Sequence, residues 1–127
     1  MITINRLDHL VLTVRDLDAT CAFYQEVLGM EAITFGEGRR ALTFGNQKIN
    51  LHHYGNEFEP KSDQPTPGSA DLCFILETSL DVAIDHLKSC NVPLIEGPVA
   101  KSGATGPIQS LYFRDPDQNL IEISVYV

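Results

Sequence analysis

Five side chains in this sequence are of the types that bind divalent metal ions in proteins: His9, Asn50, His52, Asp71 and Glu122. Imidazoles combined with one or two carboxylates suit a divalent ion that keeps open coordination positions for a substrate. No short motif such as HExxH joins these residues, because they are spread over nearly the whole chain. They can act together only if the fold brings matching strands to one face, so the elements that carry them decide the question.

Each candidate also has a simpler structural explanation. A histidine among apolar neighbours, such as His9, is commonly a core residue bonded to a backbone carbonyl, and Asp71 could simply begin a strand. The pair His52-His53 could lie exposed at a sheet edge. Asp8 is not expected to be a ligand, because strand alternation turns it away from the face of His9. The basic pair Arg39-Arg40 is either solvated or binds an anionic substrate.

The order strand, helix, three strands occurs twice along the chain. The opening strands are predicted at residues 6–14 and 70–76, and each precedes a helix whose apolar residues recur at helical spacing. His9 and Asp71 take matching places on these two strands. Three strand-like runs follow each helix, at 31–35, 40–44 and 48–54 in the first half and at 94–96, 108–113 and 120–126 in the second.

The last two strands form a predicted hairpin around the turn at residues 115–119, DPDQN. Side chains alternate along a strand, so Leu120, Glu122 and Ser124 should share one face. The apolar residues Ile121 and Ile123 should share the other. The pattern therefore predicts a carboxylate aimed away from the core.

Together these patterns predict an α+β protein with two βαβββ modules in tandem, forming a curved mixed sheet around a metal cleft. Module one is expected at residues 1–54, a proline-rich connector at 55–68, and module two at 69–127. All 127 residues then form one domain. The glycine-containing segment 103–107 is expected to be a loop mobile enough to serve as a lid.

Composition narrows the class of protein. A net charge of −8 argues against nucleic acid and anionic membrane partners, which require clustered Lys and Arg. The apolar runs are too short to span a bilayer, and no signal-peptide pattern opens the chain. Cys21, Cys73 and Cys90 lie in apolar contexts and are expected to be buried free thiols in a reducing cytoplasm.

Two segments carry a family resemblance. LDHLVLTVRDLDATCAFYQEVLGMEAITF and LYFRDPDQNLIEIS together resemble the opening strand and helix and the closing hairpin of the vicinal oxygen chelate superfamily. This superfamily includes glyoxalase I, fosfomycin-resistance proteins and extradiol dioxygenases. FGNQKINLHHYGNEFEPK and PTPGSADLCFI resemble, more narrowly, the glyoxalase domain-containing protein 5 group.

The resemblance implies a fold of two βαβββ modules around a divalent metal ion (Zn, Ni, Mn or Fe). It assigns His9 and Glu122 as ligands and places a third ligand at Asp71, where the family usually has His. The module-one ligand on the last strand falls at Asn50 or His52, and we prefer His52 because imidazole binds metals better. Gln118 replaces the usual turn Gly, so the left-handed residue is expected at Asn119.

The resemblance further implies a metal-dependent lyase or isomerase of glyoxalase type that acts on a small substrate, with Glu122 as the catalytic base. Two alternatives are an extradiol dioxygenase, which Asp71 disfavours, and a metal-free binding protein of the bleomycin-resistance kind. The resemblance also implies a homodimer.

Overall fold

The computed structural model describes residues 1–127, which form two compact units, Met1–Pro67 and Gly68–Val127. Unit 1 contains β1 (His9–Val14), α1 (Leu17–Leu28), β2 (Glu31–Phe35), β3 (Arg39–Phe44) and β4 (Gln47–His53). Unit 2 contains β5 (Asp71–Ile75), α2 (Leu80–Ser89), β6 (Glu96–Ser102), β7 (Pro107–Arg114) and β8 (Leu120–Tyr126). The predicted repeat of strand, helix and three strands is confirmed.

The two units have the same sheet topology. The strand order is β1-β4-β3-β2 in unit 1 and β5-β8-β7-β6 in unit 2. In each unit the first strand runs parallel to the last, and the remaining neighbours are antiparallel. The connection from the first to the last, parallel strand of each unit is long, as such crossovers require, and it contains the helix followed by the two antiparallel strands.

Both helices begin at polar caps. The Asp16 carboxylate accepts a hydrogen bond from the Ala19 N–H at 2.9 Å, and the Ser79 hydroxyl accepts one from the Val82 N–H at 3.2 Å. Gly29 ends α1 in the left-handed conformation. Neither helix is long and apolar enough to cross a membrane.

Each unit has its own core, built from alternate strand residues and one helix stripe. In unit 2, Ile121 and Ile123 are almost fully buried, which confirms the apolar row predicted for the closing hairpin. Other fully buried core residues are Val14, Tyr24, Leu42 and Ile49 in unit 1 and Leu87, Leu111 and Phe113 in unit 2. The faces that carry the candidate ligands point away from these residues.

The prediction for residues 94–107 is partly wrong. A strand, β6, occupies Glu96–Ser102, where a loop was expected, and its pairing with β7 shifts between Glu96 and Val99. Gly97 lies in that irregular stretch, and a Cβ there would come within 2.5 Å of the Ser110 carbonyl oxygen. Glycine and proline composition suggested a loop, but here they serve a bulge against β7.

The segment predicted as a loop at 103–107 is a short connection that makes hydrogen bonds within itself and to β8. Residues 103–106 form the tight turn between β6 and β7, in which the Gly103 N–H donates to the Gly106 carbonyl at 2.8 Å. The Thr105 N–H donates to the Tyr126 hydroxyl at 3.2 Å. These bonds tie the turn to the end of β8.

Two smaller expectations are corrected as well. Gln118 itself, not Asn119, takes the left-handed conformation, with φ of 71°. Asn119 is held in place because both its backbone N–H and its side chain bond to Asp115. All three cysteines are free thiols, but only Cys21 is buried; Cys73 is exposed because it lies on the outer face of β5, the edge strand of its sheet.

Candidate metal site

In unit 1, the candidate ligands lie on the two neighbouring strands β1 and β4. The register pairs His9 with Lys48, Val11 with Asn50 and Thr13 with His52. All six side chains therefore share one face of the sheet, which we call the histidine face. His53 lies on the opposite face, as alternation predicts.

This register distinguishes the two candidates on β4. Lys48 lies directly opposite His9. Asn50 is two residues further along β4 and is therefore the diagonal neighbour of His9. His52 is four residues beyond Lys48, which is roughly 13 Å along the strand at the rise of a β-strand. A common ion is thus more readily shared by His9 and Asn50 than by His9 and His52, so the register favours Asn50.

The imidazole of His9 is oriented by its sequence neighbour. His9 Nδ1–H donates to an Asp8 carboxylate oxygen at 2.8 Å, and this bond is the main cause that lowers the pKa of Asp8. With Nδ1 engaged, Nε2 is the ring nitrogen available to a metal ion. A carboxylate that holds a histidine in this way is a common outer partner of metal-binding imidazoles.

Asn50 is 6% exposed, and its side-chain oxygen Oδ1 is buried with no hydrogen-bond partner. An orphaned acceptor of this kind costs free energy unless a ligand, an ion or water satisfies it. An amide oxygen is also a ligand that hard divalent ions accept. The orphaned oxygen therefore fits a bound cation on the histidine face.

His52 is the most enclosed of the histidines, at 3% exposure. Burial, and secondarily the charge of Arg39, lowers its pKa, which keeps the ring neutral. Its ring packs edge-on against Phe58, with 5.9 Å between centroids. It also lines a cavity of about 350 Å³ together with Val11, Thr13, Pro60, Lys61, Ser62 and Pro65.

Unit 2 repeats the arrangement with carboxylates. The register pairs Asp71 with Leu120 and Cys73 with Glu122. Asp71 and Glu122 are thus diagonal neighbours on the first and last strands, in the same relation as His9 and Asn50. We call this side of the sheet the carboxylate face.

Hydroxyl groups surround the Glu122 carboxylate. The Ser110 hydroxyl donates to Oε2 at 2.6 Å, and the Ser124 hydroxyl lies 2.6 Å from that of Ser110. Tyr112 is paired directly with Glu122 across β7 and β8, and burial together with this carboxylate raises the pKa of Tyr112 to about 12. Tyr112 therefore stays protonated and can act only as a neutral hydroxyl near neutral pH.

Cys73 lies next to the same network. Its sulfur is 3.4 Å from the Ser124 hydroxyl, and desolvation and then nearby carboxylates raise its thiol pKa. A thiol with a raised pKa is a poor nucleophile, so Cys73 is better placed as a hydrogen-bonding neighbour.

The turn at 115–119 sets the position of Asp71. Asp115 Oδ1 accepts from the backbone N–H groups of Asp117 and Asn119, at 2.9 and 3.0 Å. Asn119 Oδ1 in turn accepts from the Ala70 N–H at 2.9 Å. A Cβ at Gly68 would come within 2.6 Å of the Asp117 carbonyl, so only glycine allows the chain to approach here. The turn thereby fixes the start of β5 against β8.

Sequence reasoning missed Asp8, Ser110 and Tyr112 as parts of the site. Ser110 and Tyr112 could have been found by applying strand alternation to β7 and pairing it with β8 around the turn. Asp8 was set aside because alternation along the strand predicted at 6–14 turned it away from His9, but β1 begins only at His9, so alternation does not govern the residue before it.

The structure brings the candidates together in pairs. Within unit 1 it joins His9 with Asn50, and within unit 2 it joins Asp71 with Glu122. No group of three or more His, Cys, Asp or Glu side chains that could hold a metal ion is assembled. Each pair supplies two of the four ligands that a complete divalent site usually needs.

Two βαβββ units, each with ligand-type residues on its first and last strands, define the architecture of the vicinal oxygen chelate proteins. The sequence model of the glyoxalase/bleomycin resistance protein/dioxygenase superfamily matches residues 6–123, and the chain belongs to that superfamily. Members of the superfamily include lyases, epimerases and dioxygenases.

Three relatives show how far the similarity extends. The chain is 57% identical to virulence protein STM3117 of Salmonella typhimurium over 98% of its length and 86% of that protein. The crystal structure of that protein matches with a TM-score of 0.98, covering 99% of this chain and all of the other. Glyoxalase domain-containing protein RDO1 of Mycosarcoma maydis is 54% identical over 98% of this chain and 70% of that protein. An ethylmalonyl-CoA/methylmalonyl-CoA epimerase of Cereibacter sphaeroides is 30% identical, with 94% and 97% covered.

Proposed function

We propose that the protein is a metal-dependent lyase or isomerase of glyoxalase type, acting on a small substrate that presents two neighbouring oxygen atoms. One observation carries the proposal: each unit has a pair of ligand-type residues in the same diagonal register on its first and last strands. A repeat of backbone alone would not require metal-binding side chains at matching positions in both halves.

The proposed ligands are His9, Asp71 and Glu122, with a fourth position on β4. Register and the orphaned Oδ1 favour Asn50 for that position, whereas imidazole chemistry favours His52. One imidazole, two carboxylates and an amide oxygen would shift preference toward a harder ion such as Mn²⁺, with Zn²⁺, Ni²⁺ and Fe²⁺ as other candidates. We propose that the two pairs act on one ion and that the functional protein is a homodimer.

Glu122 is the proposed base. A bound divalent ion would polarise the substrate oxygens and make a neighbouring C–H bond more acidic. Glu122 would take the proton from that carbon; returning it to the adjacent carbon would complete an isomerisation, whereas loss of a leaving group from that adjacent carbon, with the proton kept on Glu122, would complete an elimination. Ser110 fixes Oε2 of the carboxylate, and the protonated Tyr112 beside it supplies a further donor, so the base is held in one orientation.

One relative, 30% identical, is named an epimerase, and another, 27% identical, is named a biphenyl-2,3-diol 1,2-dioxygenase, so the side chains of this protein have to decide between proton transfer and oxygen chemistry. The dioxygenase alternative expects two histidines and one glutamate at set positions, and Asp71 replaces one of those histidines. A metal-free binding protein is the remaining alternative, and the metal content of the purified protein distinguishes it from an enzyme that depends on a metal.

The test is elemental analysis of untagged protein beside Glu122→Gln and His9→Ala. We expect about one equivalent of a divalent metal per chain in the wild type, and at least ~100-fold weaker binding in Glu122→Gln, since even outer partners of metal ligands contribute 10–100-fold. Glu122→Gln keeps the size of the side chain, so the fold should be retained.

Glu77→Gln is the matched control, because Glu77 is an exposed carboxylate in the loop between β5 and α2. It should leave metal content and activity unchanged. Full metal content and activity in Glu122→Gln would contradict the site. Absence of metal from the wild type after incubation with Mn²⁺, Ni²⁺ and Zn²⁺ would leave the binding-protein alternative.

A further inference from the structure

Two positive charges on the histidine face share one aromatic ring. The Arg39 guanidinium carbon lies 5.2 Å from the centroid of the Phe35 ring, and Lys48 Nζ lies 4.1 Å from it. Arg39 also stacks on Phe58, at 4.9 Å. The two charges are therefore no more than about 10 Å apart, which is close to the screening length at 0.1 M salt, and they repel each other.

Neither charge has a carboxylate partner, although the chain has 17 acidic residues and a net charge of −8. Other basic side chains do find one: Arg40 pairs with Asp18 at 3.0 Å, and Lys61 pairs with Glu59. The charge of Lys48 contributes to lowering the pKa of Asp8, but the Asp8 carboxylate itself contacts Arg6 and His9. Cation–π contacts hold the two positive groups in place without neutralising them.

The two cations lie on the same face of the sheet as the candidate ligands of unit 1. Lys48 stands directly opposite His9 in the register, and its side chain reaches over β3 to Phe35 on β2. Its direct neighbour on β3 is Thr43, and the next residue of β3 on the same face is Ala41, which is small. Phe58 contacts both Arg39 and His52, and His52 lines the cavity of about 350 Å³. That volume is at the lower end of small-molecule sites.

From this geometry we infer that Arg39 and Lys48 bind an oxyanion group, carboxylate or phosphoryl, of a small anionic ligand on the histidine face. The guanidinium offers paired N–H donors, and the ammonium supplies a point charge beside them. Because this inference names the substrate class for the same site, it rests on the proposed function. The substrate would be a small anion whose charged end lies on β2 and β3 and whose remaining atoms extend along the histidine face toward β4.

The test is an NMR titration of backbone amides with sodium phosphate and, separately, with sodium succinate, at constant ionic strength. We expect saturable shifts around β3 and β4, and the more effective anion identifies phosphoryl or carboxylate as the preferred group. Arg39→Gln and Lys48→Gln should each weaken binding about tenfold or more, since each removes a charged hydrogen bond. Lys48→Arg should retain most of the affinity.

Arg40→Gln is the matched control, because Arg40 is the next residue on the same strand but faces the other side and pairs with Asp18. It should change anion affinity less than twofold. Equal weakening in Arg40→Gln, or no saturation by either anion, would overturn the inference.

Metal content measured on the same samples keeps the two proposals apart. Loss of anion binding in Arg39→Gln with unchanged metal content supports the inference. The protein could instead take up no metal and still bind anions in a way that depends on Arg39 and Lys48. That result would contradict the proposed function and support the anion site.

Discussion

The two units share a backbone plan but differ in the chemistry of their exposed faces. The histidine face of unit 1 carries His9, an amide and two unpaired cations around Phe35. The carboxylate face of unit 2 carries Asp71 and Glu122 among hydroxyl groups. The repeated fold therefore carries side chains of opposite charge on the two faces: the carboxylate face suits metal binding and proton transfer, while the two cations of the histidine face suit an anion.

The units also hold the candidate ligand on their first strand in different ways. In unit 1, the residue before His9 is Asp8, whose carboxylate binds the His9 ring directly. In unit 2, the residue before Asp71 is Ala70, whose backbone N–H is bound by the buried Asn119 side chain. We call the Asp8–His9 bond the side-chain device, because it orients a side chain, and the Asn119–Ala70 bond the backbone device, because it fixes the backbone. Removing the first should mainly affect metal binding, and removing the second should mainly affect stability.

The largest effect is expected from the backbone device. Asn119→Ala removes the acceptor for the Ala70 N–H and the donor to buried Asp115, and should lower the free energy of unfolding by about 2–3 kcal/mol. Urea unfolding measures this change. Asn46→Ala, in the exposed turn of unit 1 between β3 and β4, should cost less than about 0.5 kcal/mol. Similar losses in both variants would show that the two turns do not differ in this way.

A second experiment sharpens the comparison at the last strand. If Asn50 is the counterpart of Glu122, then Asn50→Asp gives unit 1 a carboxylate of the same size and should tighten metal binding about tenfold or more. His52→Asn should leave metal affinity within about threefold, since His52 lies roughly 13 Å along the strand from the level of His9. Calorimetric titration with Mn²⁺ measures both. The reverse pattern would assign His52 as the ligand.

Sequence reasoning predicted the repeat and much of its detail because those features depend on local chemistry. The caps, the closing hairpin and the face of Glu122 follow from residue types and from alternation along one strand. The strand β6 was missed because Gly97-Pro98 is typical of a loop, and only its approach to Ser110 explains the glycine.

The choice between Asn50 and His52 shows where such reasoning stops. Both residues lie on one face, and alternation cannot tell them apart. The offset between β1 and β4 decides which of them neighbours His9, and this offset is set by hydrogen bonds between strands that are far apart in sequence. The pair of cations Arg39 and Lys48 could not be predicted from the sequence either. Arg39 and Arg40 are neighbours of the same type, yet Arg39 stacks on aromatic rings and Arg40 pairs with Asp18.

The smallest effect is expected from the side-chain device of unit 1. Asp8→Asn keeps the size of the side chain but weakens its bond to His9 Nδ1, so the ring loses its fixed orientation. We expect metal affinity to fall by several-fold and at most about tenfold, the lower end for outer partners of metal ligands. The free energy of unfolding should change little, because Asp8 is exposed. Metal titration beside urea unfolding separates the two quantities. A loss of stability without a loss of metal affinity would mean that Asp8 supports β1 rather than His9, and the proposed contrast between the units would fail at this position.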